Sequence, residues 1–475
     1  MSLPTAKNIC ILIAFVLVVF SPCLKAGFIN FDDDGSILSN AALQDLSLHS
    51  IGQIFTQTLN GNYVPLTTLS FAVEKYFFGF NPFVFHLDNL LLYVGVVILV
   101  LLLAGRMGLS NGAAFFAALI FAIHPMKVES VAWVTERKDV LYALFYLLAL
   151  HQYWSYLQTS SRKHYLTTIF WGLLSILAKP MALSLPLILL VFDWFYGRSL
   201  SKRVLIEKIP IVLYVVGIAW ISYALNAHNL YGGITPQGVL IWVWSLVFYL
   251  WKFLFPFFVY PYYVLPHPVS ILYWPYFLSV LVFMVLIFLL VKFHRHKLFI
   301  FAFLYFICSI FFLLRTGESN FTMVSDRFMF MPSLGICFFI GAWVDKQIKS
   351  RRGIILFYIL LVLIGVRTSL QVSVWHDSKS FWNELIHDYP NFYLAYNNRG
   401  TVFYQEGQDG LALRDYSRAI LLNPKAAKAY LNRSLLKEEH KDYRGALEDA
   451  LRAKKSGGIV EDVYLKRLYD RIKSL

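Results

Sequence analysis

Charge is scarce in this 475-residue chain: Asp, Glu, Lys and Arg together make up 15% of it, against about 25% in a soluble globular domain. That scarcity excludes a soluble enzyme and a solvated, disordered chain. Cysteine is scarcer still. Cys10, Cys23, Cys308 and Cys337 lie in or at the edge of apolar runs, with no C-x-x-C and no Cys/His ligand spacing. A disulfide-stapled scaffold is excluded, and a zinc site has no support. No metal and no cofactor is expected.

What the chain does have is apolar and aromatic: 58% hydrophobic residues, including 42 Phe, 29 Tyr and 12 Trp. This is the composition of a polytopic membrane protein. The net charge of +14 comes from Lys and Arg in short loops between apolar runs, which orients a membrane protein and is no nucleic-acid footprint. Apolar runs at 8–24, 83–104, 110–124, 130–151, 165–179, 181–197, 209–225, 271–291, 298–314, 328–345 and 353–370 read as eleven spans. Several are shorter than the usual ~20 residues and rely on tilt or neighbours. The first reads as an uncleaved anchor. Arg106, Arg162/Lys163, Arg198/Lys202/Arg203/Lys208, Lys292/Arg295/Lys297 and Lys346/Lys349/Arg351/Arg352 all stay inside only if a further apolar stretch, 238–258, is re-entrant or interfacial. The N-terminus is then inside, the C-terminus outside, and loops 25–82, 124–130, 226–270 and 315–327 face outward.

Near residue 371 long apolar runs stop and polar residues rise. The expected division is a membrane domain, 1–370, and a repeat domain outside the cytosol, 371–475. The tail repeats with a period of 34: Pro390/Pro424, Tyr396/Tyr430, Asn398/Asn432, Arg399/Arg433 and Ala412/Ala446 correspond. Gly400, Ala412 and Ala419, with aromatics beside them, fall where two tetratricopeptide-repeat helices pack. The second unit, 427–458, has Ser434 for Gly and Lys437 for an aromatic, and 461–474 reads as a capping helix. Such arrays bind peptides on a concave face. The fold class is therefore all-α, a polytopic helical bundle with a C-terminal repeat domain.

Three clusters carry chemistry. Asp32, Asp33 and Asp34 follow the first span. Adjacent carboxylates repel, so at least one pKa rises, which suits a general base or a cation site. A solvated helix-capping turn is the structural alternative. An Asp32/Asp34 metal site for a nucleotide-sugar is less attractive on the outer side. His124, Lys127 and Glu129 lead to Glu136, Arg137, Lys138 and Asp139, charges at membrane depth that pair or line a cavity, or else snorkel. Asp326 and Arg327 enter the tenth span among aromatics, where a guanidinium suits a lipid phosphate or a headgroup anchor, and Lys179 adds positive charge. His86, Asn89 and Tyr93 share one helix face. Tyr260-Pro261-Tyr262-Tyr263 is the best candidate wall for a prenyl-chain groove.

These motifs, in this order, resemble the transmembrane and tetratricopeptide-repeat protein O-mannosyltransferases and their bacterial relatives. The matching segments are 28–33, 63–70 (YVPLTTLS), 85–91 (FHLDNLL), 124–129 (HPMKVE) with Arg137 and Asp139, 178–180 (AKP), and 326–328 (DRF) through 332–335 (PSLG). The resemblance implies a C-class glycosyltransferase fold and a polyprenyl-phosphate sugar donor, typically mannose, used on the lumenal or periplasmic side. Asp32 and Asp33 match the family's acidic pair, and Arg327 its Glu-Arg-aromatic position, here with Asp326 for Glu. Lys127 stands where relatives often have His. The expected catalytic residues are Asp32 and Asp33. Arg327, Lys179 and Arg137 bind the donor phosphate, with Asp34, His86, His124, Glu129, Asp139 and Asp326 in support. The expected acceptor is a Ser or Thr hydroxyl of a protein engaged by the repeats. The location is a bacterial inner membrane with periplasmic repeats, or an endoplasmic reticulum membrane with lumenal ones. A lipid or glycan acceptor, and a non-enzymatic anchored scaffold, are the rival readings.

Overall fold

The computed structural model describes residues 6–59, 61–225, 235–257, 259–314, 324–348 and 351–474. Most of loop 226–270 is therefore described, but of loop 315–327 only the last four residues. Among the described residues there is no strand, only an isolated bridge between Leu59 and Asn62. The chain is an all-helical, multi-pass membrane protein. It divides into two compact units, one of residues 1–27 and 32–373, the other of 28–31 and 374–475.

Helices form at each of the expected spans. Six are long and apolar enough to cross a membrane: Ala6–Lys25, Pro82–Arg106, Lys202–Leu225, Pro236–Leu254, Trp274–Lys292 and Arg352–Val374. A seventh arises if Asn111–Ile123 and Pro125–Ala132, bent by 61° at their junction, are one span. The stretch 238–258, expected to be re-entrant or interfacial, thus supplies a helix, Pro236–Leu254, that meets the requirement itself. The span expected at 130–151 begins late, because a short helical turn at Val134–Glu136 precedes Arg137–Thr159. The helix ends follow local chemistry. Asn81 caps Pro82–Arg106 through the Phe83 N–H (3.2 Å), and Ser110 caps Asn111–Ile123 through the Ala113 N–H (3.1 Å). Close packing of Ser333–Gln347 on Asn111–Ile123 depends on Gly341. A Cβ there would lie 2.6 Å from the Ala113 carbonyl oxygen, the small-residue contact typical of membrane helices.

The second unit is a series of helices: Ser378–Asp388, Tyr393–Gln405, Asp409–Leu422, Ala427–Glu439, Tyr443–Lys455 and Asp462–Lys473. Its repeat is visible bond by bond. Arg399 pairs with Asp415 through Nε (2.7 Å) and Nη2 (3.0 Å), and Arg433 pairs with Asp449 the same way (2.8 and 2.7 Å). Their Nη1 atoms donate to Asn383 and to Ser417. The two departures from the pattern are compensated. Ser434 Oγ donates to the Ala446 carbonyl at 2.7 Å, and Lys437 pairs with Asp449 at 2.8 Å. Tyr464, Leu465 and Leu468 of the final helix bury against Ala446, Ala450 and Ala453, closing the apolar end. Phe28–Phe31 belongs to this unit: the Trp382 indole donates to Asn30 Oδ1 at 2.6 Å, and Phe31 packs on Phe381 and Trp382.

Candidate functional site

The site is built where a run of short turns meets the acidic loop. Asp33 is only 1% exposed. Its Oδ1 accepts from the Trp133 indole (3.1 Å), the Thr135 N–H (3.1 Å) and the Thr135 hydroxyl (2.5 Å). Asp33 therefore fastens the loop to the turn before helix Arg137–Thr159. Asp32, one residue earlier, is partly exposed, and its carboxyl has no hydrogen-bond partner among the described residues. Burial pushes its pKa up; Lys138 and Arg327 pull it down and Glu136 adds to the rise. Asp34 is exposed, with its pKa also raised by partial burial.

The charges that Asp32 feels form one network. Glu136 takes Lys179 (2.8 Å), Lys138 (3.0 Å) and Arg327 Nε (3.4 Å). Lys179 also reaches Asp139 (2.7 Å), whose second oxygen accepts from Ser130. Glu129 holds Arg327 twice, by an ion pair to Nη1 and by accepting the Arg327 N–H at 3.1 Å. Burial opposes the Arg327 charge, but Glu129 and Glu136 outweigh it and hold the guanidinium firmly protonated. Its Nη2 has no hydrogen bond among the described residues, its side chain is 19% exposed, and its plane lies by Trp133 and Phe328. Lys138, 12% exposed, has Glu136 as its ion-pair partner. Two donors thus remain partly open beside a half-buried carboxyl.

Neighbouring groups fix this geometry. Lys127 donates to the Met329 and Phe330 carbonyls (3.0 and 2.6 Å) and to Ser333 Oγ (2.6 Å), tying the Arg327 turn to the His124 turn. His124 stacks on Phe253 at 4.3 Å and donates from Nε2 to its carbonyl. Asp326 accepts the Tyr263 hydroxyl at 2.9 and 3.0 Å; burial, then Glu129, push its pKa well up. Phe248, whose ring meets Tyr263 at 4.9 Å, and Phe253 also line an apolar groove of about 950 Å³. That groove runs among Pro236–Leu254, Trp274–Lys292, Lys297–Ile310 and Ser333–Gln347. Among the described residues no cluster of metal-ligating side chains occurs.

The structure brings together Asp32, Asp33, Glu129, Asp139, Lys179, Asp326 and Arg327. It does not bring Arg137 into this network. Arg137 is fully buried and spends its donors on Glu74, Asp88 (3.3 Å), Asn89 (2.7 Å) and the Phe85 carbonyl (2.9 Å). Glu136 pairs with both Arg327 and Lys138, while Arg137 between them points to Glu74 and Asn89. His86, Asn89 and Tyr93 form an interior face: all are buried, and Tyr93 donates to the Phe121 and Ala122 carbonyls. Sequence reasoning placed Glu136 and Lys138 in the second charge cluster without giving them a role, and passed over Trp133 and Thr135. It named Tyr263 only as a groove wall.

No protein-family model matches the chain. The chain is similar to the protein O-mannosyl-transferases, as its motif order implies. It is 34% identical over 189 residues to protein O-mannosyl-transferase TMTC4 of Homo sapiens, covering 35% of this chain and 25% of that protein. It is 33% identical over 157 residues to TMTC1 of Homo sapiens (31% and 18%), and 30% over 223 residues to Tmtc2 of Drosophila melanogaster (44% and 23%). The matched part is thus a quarter or less of each relative's own length. A crystal structure of ArnT from Cupriavidus metallidurans bound to undecaprenyl phosphate superposes with a TM-score of 0.45 at 13% identity, covering 96% of this chain and 78% of that one.

Proposed function

We propose that this chain is a membrane glycosyltransferase of C-class architecture. It moves a hexose, in this reading mannose, from a polyprenyl-phosphate carrier to a Ser or Thr hydroxyl of a protein on the periplasmic or lumenal side. The observation that carries the reading is a half-buried Asp32 carboxyl, without a hydrogen-bond partner among the described residues, within the field of Arg327 and Lys138. A base and a phosphate clamp in one site are what transfer from a sugar phosphate requires. Asp32 accepts the acceptor hydroxyl's proton as that oxygen attacks the sugar's anomeric carbon. The bond from that carbon to the phosphate oxygen breaks, and the polyprenyl phosphate leaves with the bonding electrons. Arg327 Nη2 and Lys138 take the departing charge, with Glu129, Glu136 and Lys179 holding them in place. Asp33, its oxygen already saturated, positions Asp32.

The apolar groove suits the prenyl chain, because its walls Phe248 and Phe253 adjoin Tyr263 and His124 beside the Asp326–Arg327 turn. The repeat unit favours a protein acceptor, since stacked helical pairs hold extended peptides. Purified full chain given a polyprenyl-phosphate hexose labelled in the sugar, together with a membrane extract, tests this. Label on Ser or Thr of protein is the expected result. Label on lipid or glycan alone contradicts the acceptor, and an intact donor contradicts the enzyme.

A further inference from the structure

A second crevice, of about 500 Å³, lies in the membrane unit and shares no lining residue with the groove. Helix Pro65–Phe78 forms one wall with Leu69, Val73 and Phe77 at four-residue spacing, and Phe145 faces it. Nine of its twelve lining residues are apolar, and Val73 and Phe77 stand exposed at its rim. The polar groups are Ser70, Glu74 and Asp88, and Arg137 is the cation that the two carboxylates share.

Two observations show that this polar end is incomplete. Glu74 is buried, and its Oε1 has no hydrogen-bond partner among the described residues, although Oε2 takes Arg137. A buried unsatisfied acceptor of this kind is costly unless a ligand supplies the donor. Asp88, 44% exposed, meets Arg137 only at 3.3 Å. Two carboxylates facing one guanidinium leave one negative charge over.

The occupant must therefore offer apolar length, a small cation and N–H donors. A phosphate-terminated anionic lipid brings charge of the wrong sign. A quaternary ammonium brings charge but no N–H for Glu74. We propose that the crevice binds an ethanolamine-headgroup phospholipid. Its primary ammonium donates to Glu74 Oε1 and Asp88, and an acyl chain lies along Leu69, Val73 and Phe77.

The test reconstitutes the full chain in vesicles of equal phosphatidylethanolamine, phosphatidylcholine and phosphatidylglycerol. The protein is then extracted in mild detergent, and the co-purifying lipid is counted by mass spectrometry. Phosphatidylethanolamine should exceed each of the others by about fivefold, the scale of one charge-assisted contact near a surface. Asp88→Asn should erase that excess. Ser70→Trp, which fills the crevice, should lower retention of phosphatidylethanolamine more than of the other two. Glu74→Gln risks misfolding by unpairing buried Arg137, so half-exposed Asp88 is the deciding variant. Equal retention of the ethanolamine and choline lipids by the unaltered protein overturns the proposal. So does a preference for phosphatidylglycerol, or an excess that survives Asp88→Asn.

Discussion

Asp32 and Asp33 are adjacent in sequence and opposite in circumstance. One carboxyl is half-buried and has no hydrogen-bond partner among the described residues; the other has three donors on a single oxygen. Because burial raises the Asp32 pKa above the ordinary 3.8, a base role fixes the sign of the pH response. Ionised Asp32 is lost as pH falls through the raised value, so kcat/KM should fall on an acid limb centred above pH 3.8. Lys138→Gln removes a cation that lowers that pKa and should move the limb to higher pH. A limb below 3.8, or one unmoved by Lys138→Gln, removes Asp32 from proton transfer. Lys127 gives another single-residue test. Lys127→Met keeps the bulk and removes three donors, so the Met329 and Phe330 carbonyls lose the ammonium, although Phe330 keeps Ser333 Oγ. It should cost about 1–3 kcal/mol, read as a lower Tm in detergent, and an unchanged Tm contradicts the tie. Residue types and sequence neighbourhood made Asp32, Asp33 and Arg327 legible. That Lys138 and not Arg137 joins Glu136 was not legible, because a short turn at Val134–Glu136 precedes the helix and the local sequence does not say which face meets Arg327.

Helices were the most legible level of the chain, since apolar runs are long. Their partners were less so. The groove joins four helices spread over more than a hundred residues, and Tyr263 meets Asp326 across 63 residues, a contact no local pattern encodes. The groove assignment has its own consequence. Leu286→Trp, placed on the wall, should reduce kcat/KM for a long-chain carrier about tenfold, the worth of roughly two buried methylenes. A truncated carrier should be used as before. Equal loss with both carriers places the prenyl chain elsewhere. In the second unit the period of 34 recurs in geometry as well as in sequence, since Arg399–Asp415 and Arg433–Asp449 make the same bonds.

For the whole molecule, composition decides the most. Few charges and many aromatics require a membrane, and the charges that remain inside it are gathered into networks instead of scattered. Carboxylates outnumber cations around Arg327, so under the proposed function a lipid phosphate would be held by the particular donors left partly open on Arg327 and Lys138 and not by net charge. The number of crossings was the least legible property, since Pro236–Leu254 satisfies the length and apolarity of a span while the loop charges argue against its crossing. The account stands on a carboxylate doing proton transfer at this clamp. Asp32→Asn removes the proton acceptor and keeps the side chain's shape. Sugar transfer from the prenyl-phosphate donor by this variant should fall by about 10²-fold or more, with carrier binding retained through Arg327. Transfer at the unaltered rate would contradict it.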